Sequence, residues 1–270
     1  MNGSRSGSLN RALTPRRDIP AWLSRSTSLL VGGSILGAWA AVTYGGFVDT
    51  TFCPTPGQVL AAFWKTLLDG TLAKHTWSSL LVINSGFLLS SVAAVPLGIL
   101  MGTYRIAQAA LEPVVNFTRY LPVTSMIPLL ILWIGIGIEQ KIAVIFIGTF
   151  FQQIVMVADS ASRVPNEIFN AAYTLGASRW QVLTRVLLPA TLPGIMDTLR
   201  VTMGWAWTYL VVAELVASNS GLGYMSMQAM RGLHADRIFV AILVIGVLGM
   251  ITDQLFKWLK RRLLPWAEQR

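Results

Sequence analysis

The sequence predicts an all-α membrane protein with six transmembrane helices. Of its 270 residues, 54% are hydrophobic and only 12% are charged, whereas soluble domains carry about a quarter charged residues. Apolar runs of about 20 residues, the length that crosses a bilayer as a helix, recur along the chain. A single long polar interruption, residues 163–194 (RVPNEIFNAAYTLGASRWQVLTRVLLPATLPG), falls between two of these runs. No polar block splits the apolar runs into two groups, so one bundle is expected rather than two domains.

Residues 1–25 are rich in Ser, Gly and Arg and lack periodicity. They read as a flexible cytoplasmic N-terminal arm held inside by Arg5, Arg11, Arg16, Arg17 and Arg25. Residues 26–262 form the membrane domain, and 263–270 a cytoplasmic tail. The first crossing is placed at 28–47, where Trp39 and Tyr44 belong to the span. An amphipathic helix on the outer surface follows, opening at Pro56, where a missing N–H costs nothing. The second crossing is 76–101, and its Gly98 and Gly102, spaced i to i+4, allow another helix to approach closely. Residues 109–138 exceed one simple span, so this segment must bend or begin outside the core, with Pro113, Pro122 and Pro128 supplying the breaks. The fourth crossing is 142–158, the fifth 195–216 and the sixth 238–258.

Between the fourth and fifth crossings, two short helical patterns, 165–175 and 178–188, flank Gly176, which turns the chain where a Cβ would be strained. Pro189 and Pro193 are expected to break or kink the helix and close the stretch. Charge sets the orientation. Of the 21 Lys and Arg residues, Lys65, Lys74, Lys141, Arg231 and Arg237 fall on outer segments, and the rest on cytoplasmic segments or within spans. An even number of crossings puts both basic termini inside. The net charge of +9 therefore has a topological origin, and no basic stripe interleaved with aromatics marks a nucleic-acid site.

Enzymatic motifs are missing: there is no G-x4-G-K-[ST] loop, dinucleotide fingerprint, G-x-S-x-G elbow or H-E-x-x-H pair. Cys53 is the only cysteine, which rules out an intrachain disulfide or a cysteine-based metal cluster. His75 and His234 stand apart and read as interfacial or surface residues. The chain is expected to hold no catalytic residue and no metal.

Polar residues inside apolar spans are the candidates for function, because charge in a bilayer core faces a cavity or a partner. Arg119 lies ahead of Pro122, and Arg200 lies about three turns beyond Pro189. Either can line a path for a small anion. Arg200 can instead pair with Asp197 on the same helix face, and Arg119 can snorkel to the headgroups. Gln152 and Gln153 suit an oxyanion or a helix–helix hydrogen bond. Trp205, with Trp207 and Tyr209, suits a pathway wall, core packing or an interfacial belt. Glu214 sits at the outer mouth or pairs with the segment after it. Met225, Met227 and Met230 make an adaptable plug or plain core.

Asn170-Ala171-Ala172, Gly176 and Val186-x-Leu188-Pro189 resemble the loop E-A-A-x3-G-x9-I-x-L-P of bacterial ABC importer permeases, with Asn170 where the family usually has Glu. Two further stretches, HTWSSLLVINSGFLLSSVAAVPLGILMG (75–102) and RYLPVTSMIPLLILWIGIG (119–137), resemble the nitrate, sulfonate, taurine and bicarbonate branch. Val82 departs from that branch, whose members commonly carry Arg there. The resemblance spans residues 52–258.

It implies the MetI-like fold of type I importers in a bacterial inner membrane. It further implies a coupling segment in Asn170, Ala171, Ala172, Gly176, Ala177, Leu188 and Pro189, and a short gate helix led by Gly221, Gly223 and Met225. The implied partners are a second copy of the chain, membrane lipid, two cytoplasmic ATPase subunits that bind ATP and Mg, and a periplasmic or lipid-anchored binding protein. The cargo implied is a small anion of the nitrate, taurine or alkanesulfonate, or bicarbonate type. The chain itself would hold no cofactor. A membrane scaffold or secretion component without a substrate is the alternative, and a channel a weaker one.

Overall fold

The computed structural model describes residues 20–216 and 218–267, all of whose regular elements are helical. Arg5, Arg11, Arg16, Arg17 and the end of the tail, 268–270, lie outside the described residues. The chain divides into two compact units at Ala61–Ala62.

In the first unit, α1 (Ala21–Tyr44) starts after Pro20, several residues before the expected position. Its apolar side chains, among them Leu29, Leu30 and Ile35, are exposed, as suits a helix whose solvent is lipid. Its end is tied to the segment that follows: Trp39 Nε1 donates to the Pro54 carbonyl (3.1 Å) and Gly57 N to Tyr44 Oη (3.2 Å). Helix α2 (Pro56–Leu68) opens at Pro56 as expected. Thr55 N donates to Gln58 Oε1 (2.8 Å) and Gln58 N to Thr55 Oγ1 (3.2 Å), a reciprocal cap that satisfies two otherwise orphaned donors.

The second unit continues with α3 (Thr71–Thr103), α4 (Arg105–Arg119), α5 (Val123–Ile134), α6 (Ile138–Ser162), α7 (Asn166–Thr174), α8 (Arg179–Val216), α9 (Leu222–Arg231) and α10 (Ala235–Leu263). Among the described residues, α1, α3, α6, α8 and α10 are long and apolar enough to cross a membrane, and the pair α4–α5, bent by 93°, makes a sixth crossing when taken as one. The long third segment therefore bends, but at one place only. The chain breaks at Tyr120–Pro122, while Pro113 lies inside α4 and Pro128 inside α5.

The expectation for Pro189 and Pro193 needs correction too. Helix α8 runs unbroken from Arg179 through both prolines to Val216. Its turns over Val182–Leu187 are π-helical, immediately before Pro189. A proline ring collides with the carbonyl four residues back in an α-helix, and a wider π turn relieves that collision. The second arm of the polar stretch is therefore the first part of the fifth crossing, not a separate helix.

The core is the contact of α3, α6 and α8, where Val82, Ile83, Ile145, Met203, Ala206 and Leu210 are buried together. Val82, the position where the resembled branch commonly has Arg, is fully enclosed. Small residues on α3 set the helix spacing. A Cβ on Gly86 would meet Ile145 Cβ at 2.9 Å, one on Gly98 would meet Val157 Cβ at 2.7 Å, and one on Gly102 would meet Ala158 Cα at 2.9 Å. Gly98→Val is expected to lower the melting temperature of the purified protein, with an overpacking cost of about 1–3 kcal/mol. Gly33→Ala, where nothing lies within 4 Å, serves as the control. Equal melting of the two variants would remove α3–α6 contact as the basis of the core.

Candidate functional site

Three regions gather the side chains singled out by the sequence. The first is the hairpin of α7 and the start of α8. Gly176 has φ +81°. Around it, Gly176 N donates to the Tyr173 carbonyl (2.9 Å) and Ala177 N to the Ala172 carbonyl (3.0 Å). These are the two bonds of a Schellman C-cap, in which the left-handed residue reverses the chain. Ala172, Gly176 and Ala177 thus form one cap, which gives a physical reason for their spacing. The next helix opens at once: Ser178 N donates to Gln181 Oε1 (2.8 Å) and Gln181 N to Ser178 Oγ (3.3 Å). Asn170 and Ala171 are exposed, as are the large apolar side chains of Ile168, Leu175 and Trp180. Leu188 is partly exposed and Pro189 half-buried, within α8 rather than on the hairpin tip.

The second region lies at the other end of α8. Glu214 is buried and holds the start of α9: its Oε2 accepts from Gly223 N (2.8 Å) and its Oε1 from Ser79 Oγ (2.8 Å). Ser79 Oγ in turn accepts from Leu222 N (2.9 Å), and His75 Nδ1 accepts from Gly221 N (3.1 Å). A carboxylate placed against the first N–H groups of a helix is favoured by their orphaned donors and by the helix dipole. Lys141 Nζ donates to Ser218 Oγ (3.0 Å) and to the Ser220 carbonyl (3.2 Å), and the hydroxyls of Ser78 and Ser220 stand 2.9 Å apart. Gly221 has φ +119°, and a Cβ there would overlap the Glu214 carboxylate. On Gly223 a Cβ would meet the Val211 carbonyl oxygen at 2.8 Å. Glu214 thus pairs with the segment that follows it. Met225 is buried core, while Met230 is exposed.

His75, Ser78, Ser79 and Lys141 were not read as site residues from the sequence. His75 is buried rather than interfacial or at the surface. The signal was present, since positions 75, 78 and 79 share a helix face and form a polar stripe in an apolar run. His234 is exposed and lines a separate groove of about 340 Å³ with Asp69 and Arg237. Hydrogen bonds from Thr71 hold the Asp69 carboxyl below its ordinary range.

The third region is a cavity of about 270 Å³ at the α4–α5 break, lined by Arg119, Gln152, Trp205 and Tyr209 among others. Three of the six pathway candidates therefore meet in one place. The other three do not. Gln153 is fully buried and bridges helices: it accepts from Ser90 Oγ and donates to Ser91 Oγ and Thr202 Oγ1, each at 3.2 Å. Arg200 turns to α10, its Nε 2.8 Å from Asp253 Oδ1, and Lys257 holds the other carboxylate oxygen at 2.6 Å. The pairing of Arg200 with Asp197 does not form, because Asp197 is held by Lys260 at 2.6 Å. Glu214 belongs to the α9 contact described above. Trp207 is core and donates through Nε1 to Thr252 Oγ1 (3.3 Å).

Residues 94–265 match the family described as binding-protein-dependent transport system inner membrane component. A probable ABC transporter permease of Brucella abortus is 39% identical over 234 residues, which are 87% of this chain and 92% of that protein. The taurine transport system permease TauC of Escherichia coli is 33% identical over 266 residues, 96% of this chain and 97% of that protein. The putative aliphatic sulfonates transport permease SsuC of Bacillus subtilis is 33% identical over 252 residues, 93% and 90%. Among solved structures, a bacterial alginate ABC transporter chain, crystallised with a pentasaccharide-bound periplasmic protein, shares the fold. Its TM-score is 0.60 at 13% identity, over 90% of this chain and 98% of that one.

Glu214→Ala removes the acceptor for Gly223 N and Ser79 Oγ. The expected result is faster amide hydrogen exchange at residues 221–223 and a loss of stability of about 1–3 kcal/mol per unsatisfied buried donor. Exchange at the wild-type rate would show that the carboxylate does not hold α9.

Proposed function

We propose, for a chain that belongs to the family of binding-protein-dependent transport system inner membrane components, that it forms the pathway by which a small organic anion enters the cell. The family makes it a multi-pass ABC transporter permease subunit and not an enzyme. The finer reading adds that two copies pair in a bacterial inner membrane with both termini cytoplasmic. Each copy offers its α7–α8 hairpin to an ATPase subunit, which binds ATP and Mg, and the opposite face receives a binding protein. Similarity to taurine and sulfonate permeases supports a sulfonate-like cargo.

One observation carries the reading: a single unbroken helix joins the exposed hairpin to the enclosed α9 contact. Trp180 stands near the first residue of α8 and Glu214 near its last. At about 1.5 Å per residue, the 38 residues of α8 span about 57 Å, more than the roughly 30 Å of a hydrocarbon core. A displacement at the hairpin is transmitted along this helix because its backbone hydrogen bonds resist shortening. The carboxylate of Glu214 passes it to α9 and, through Ser79, to α3. Alternating access then consists of moving α8 and α9 together, with closure of the ATPases bringing the two hairpins closer and hydrolysis releasing them.

Gly176→Glu tests the coupling end. The left-handed φ of Gly176 makes any side chain strained there, and the added charge faces the docking surface. The expected outcome is loss of ATPase co-purification and at least a tenfold fall in ATP-driven uptake of radiolabelled taurine into proteoliposomes containing all the subunits. That fold-change corresponds to about 1.4 kcal/mol or more of lost coupling. Intact co-purification with intact substrate-stimulated hydrolysis would place the motor contact elsewhere.

A further inference from the structure

We propose that the cavity at the α4–α5 elbow is a binding site of the pore subunit itself, taking a small organic oxyanion with Arg119 as its charged contact. This deepens the permease reading and rests on it for the identity of the cargo.

The elbow creates the space. Where a straight helix would fill the bundle, the 93° bend at Tyr120–Pro122 leaves room against α6 and α8. The lining carries one cation and no acidic residue. The chain's other cations near the bundle interior are answered: Arg200 and Lys257 share Asp253, Lys260 takes Asp197, and Lys141 donates to Ser218 and Ser220. Among the described residues, Arg119 meets no carboxylate. It lies over the Tyr120 ring at 4.6 Å and donates one hydrogen bond, from Nη2 to Tyr120 Oη (2.9 Å), while its Nε is shut off from solvent without a partner. A buried donor left unpaired is costly. An arginine fork with only a neighbouring phenol to hold is free to close on an oxyanion through two parallel N–H groups.

Further donors face the same space. Helix α5 starts at the cavity wall with Val123 and Thr124, and no side chain caps it. Ser125 N donates to the Pro122 carbonyl (2.9 Å), while the first two N–H groups have no intrahelical acceptor and the dipole favours negative charge. Gln152 is half-buried on α6, and it lines the space together with Trp205 and Tyr209, three residues whose side chains carry neutral donors. The Tyr209 ring reaches this position because residue 148 is glycine: a Cβ there would meet the ring at 2.5 Å. Leu121, Ile147 and Phe151 give the cavity an apolar wall. One cation, several neutral donors and an apolar wall describe a ligand with an oxyanion head and a short carbon body. The volume falls just below the roughly 300–1,000 Å³ of drug-sized pockets, so the ligand is small.

The test is calorimetric titration of ethanesulfonate into the permease–ATPase complex in nanodiscs, with no binding protein present. Nitrate and the uncharged ethyl methyl sulfone serve as comparison probes. Saturable binding of ethanesulfonate is expected, weaker binding of nitrate, and none of the sulfone. Arg119→Gln is expected to weaken ethanesulfonate binding at least tenfold, the scale of a lost charge-assisted hydrogen bond of about 1.5–3 kcal/mol. Arg119→Lys is expected to restore only part of it, because the planar fork is lost. If Arg119→Gln melts early, Gln152→Leu and Trp205→Phe replace it, each expected to weaken binding by a smaller factor. No saturable binding to the wild type, or equal binding to all these variants, overturns the site even where ATP-driven uptake is intact. Binding that depends on Arg119 supports the site even where uptake fails, and in that case the reading of the cargo as an imported organic anion is the one that falls.

Discussion

The membrane part of this protein depends on the close approach of α3 and α6. Association of helices in lipid gains little from the hydrophobic effect, because the tails are as apolar as leucine. Contact must come from packing and from hydrogen bonds that have no competing water. Gly86, Gly98 and Gly102 supply the first, since a Cβ at any of them would collide with α6. Ser90, Ser91, Thr149, Gln153 and Thr202 supply the second: Thr149 Oγ1 reaches Ser90 Oγ at 2.8 Å, and Gln153 links that pair to α8. Without the small residues the amide would not reach, and without the amide the link from α3 and α6 to α8 would be lost, although Ser91 and Thr202 would keep their bonds to the Phe87 and Thr198 carbonyls. The two kinds of contact enforce each other.

On that base α8 can act as one body. A helix that crosses the bilayer and continues outside it transmits motion only if it does not fold at its prolines. The π turns before Pro189 keep the axis continuous while relieving the ring. At the far end, the Glu214 carboxylate accepts the Gly223 N–H of α9. The start of α9 is therefore attached to α8 by hydrogen bonds and to α3 by Ser79 and His75, not merely packed against them.

Much of this could be read from the chain, because lipid imposes length and composition so strongly. The six apolar runs and the helix start at Pro56 follow from hydropathy and capping chemistry. So does the turn at Gly176, where a left-handed residue between two helical patterns leaves few options. What stayed hidden depended on who meets whom. Gln153 and Gln152 are neighbours in sequence and equal in chemistry, yet one bridges three helices and the other faces a cavity, because a helix turns by about 100° per residue. Arg200 had an acid one turn away, but the acid it meets is on α10, and only the tertiary arrangement decides that. The effect of Pro189 was misjudged because the rule for proline assumes an α-helical neighbour four residues back.

The placement of charge sets Arg119 apart from the other cations of the bundle. In a bundle of low dielectric, an ion without a partner is expensive, and several charges of the bundle are paired or hydrogen-bonded. Asp253 answers Arg200 and Lys257, Asp197 answers Lys260, and backbone and hydroxyl oxygens answer Lys141. Arg119 departs from that pattern at the one place where a crossing is bent open. An unpaired cation beside an uncapped helix start raises the local preference for anions, and with no carboxylate in the wall nothing cancels it. The proposed site would hold an anion by charge and orient it by its neutral donors, yet let it leave, because the cation has a phenol to return to. That combination, affinity enough to admit and weak enough to release, is what a pathway needs and what a structural ion pair cannot provide.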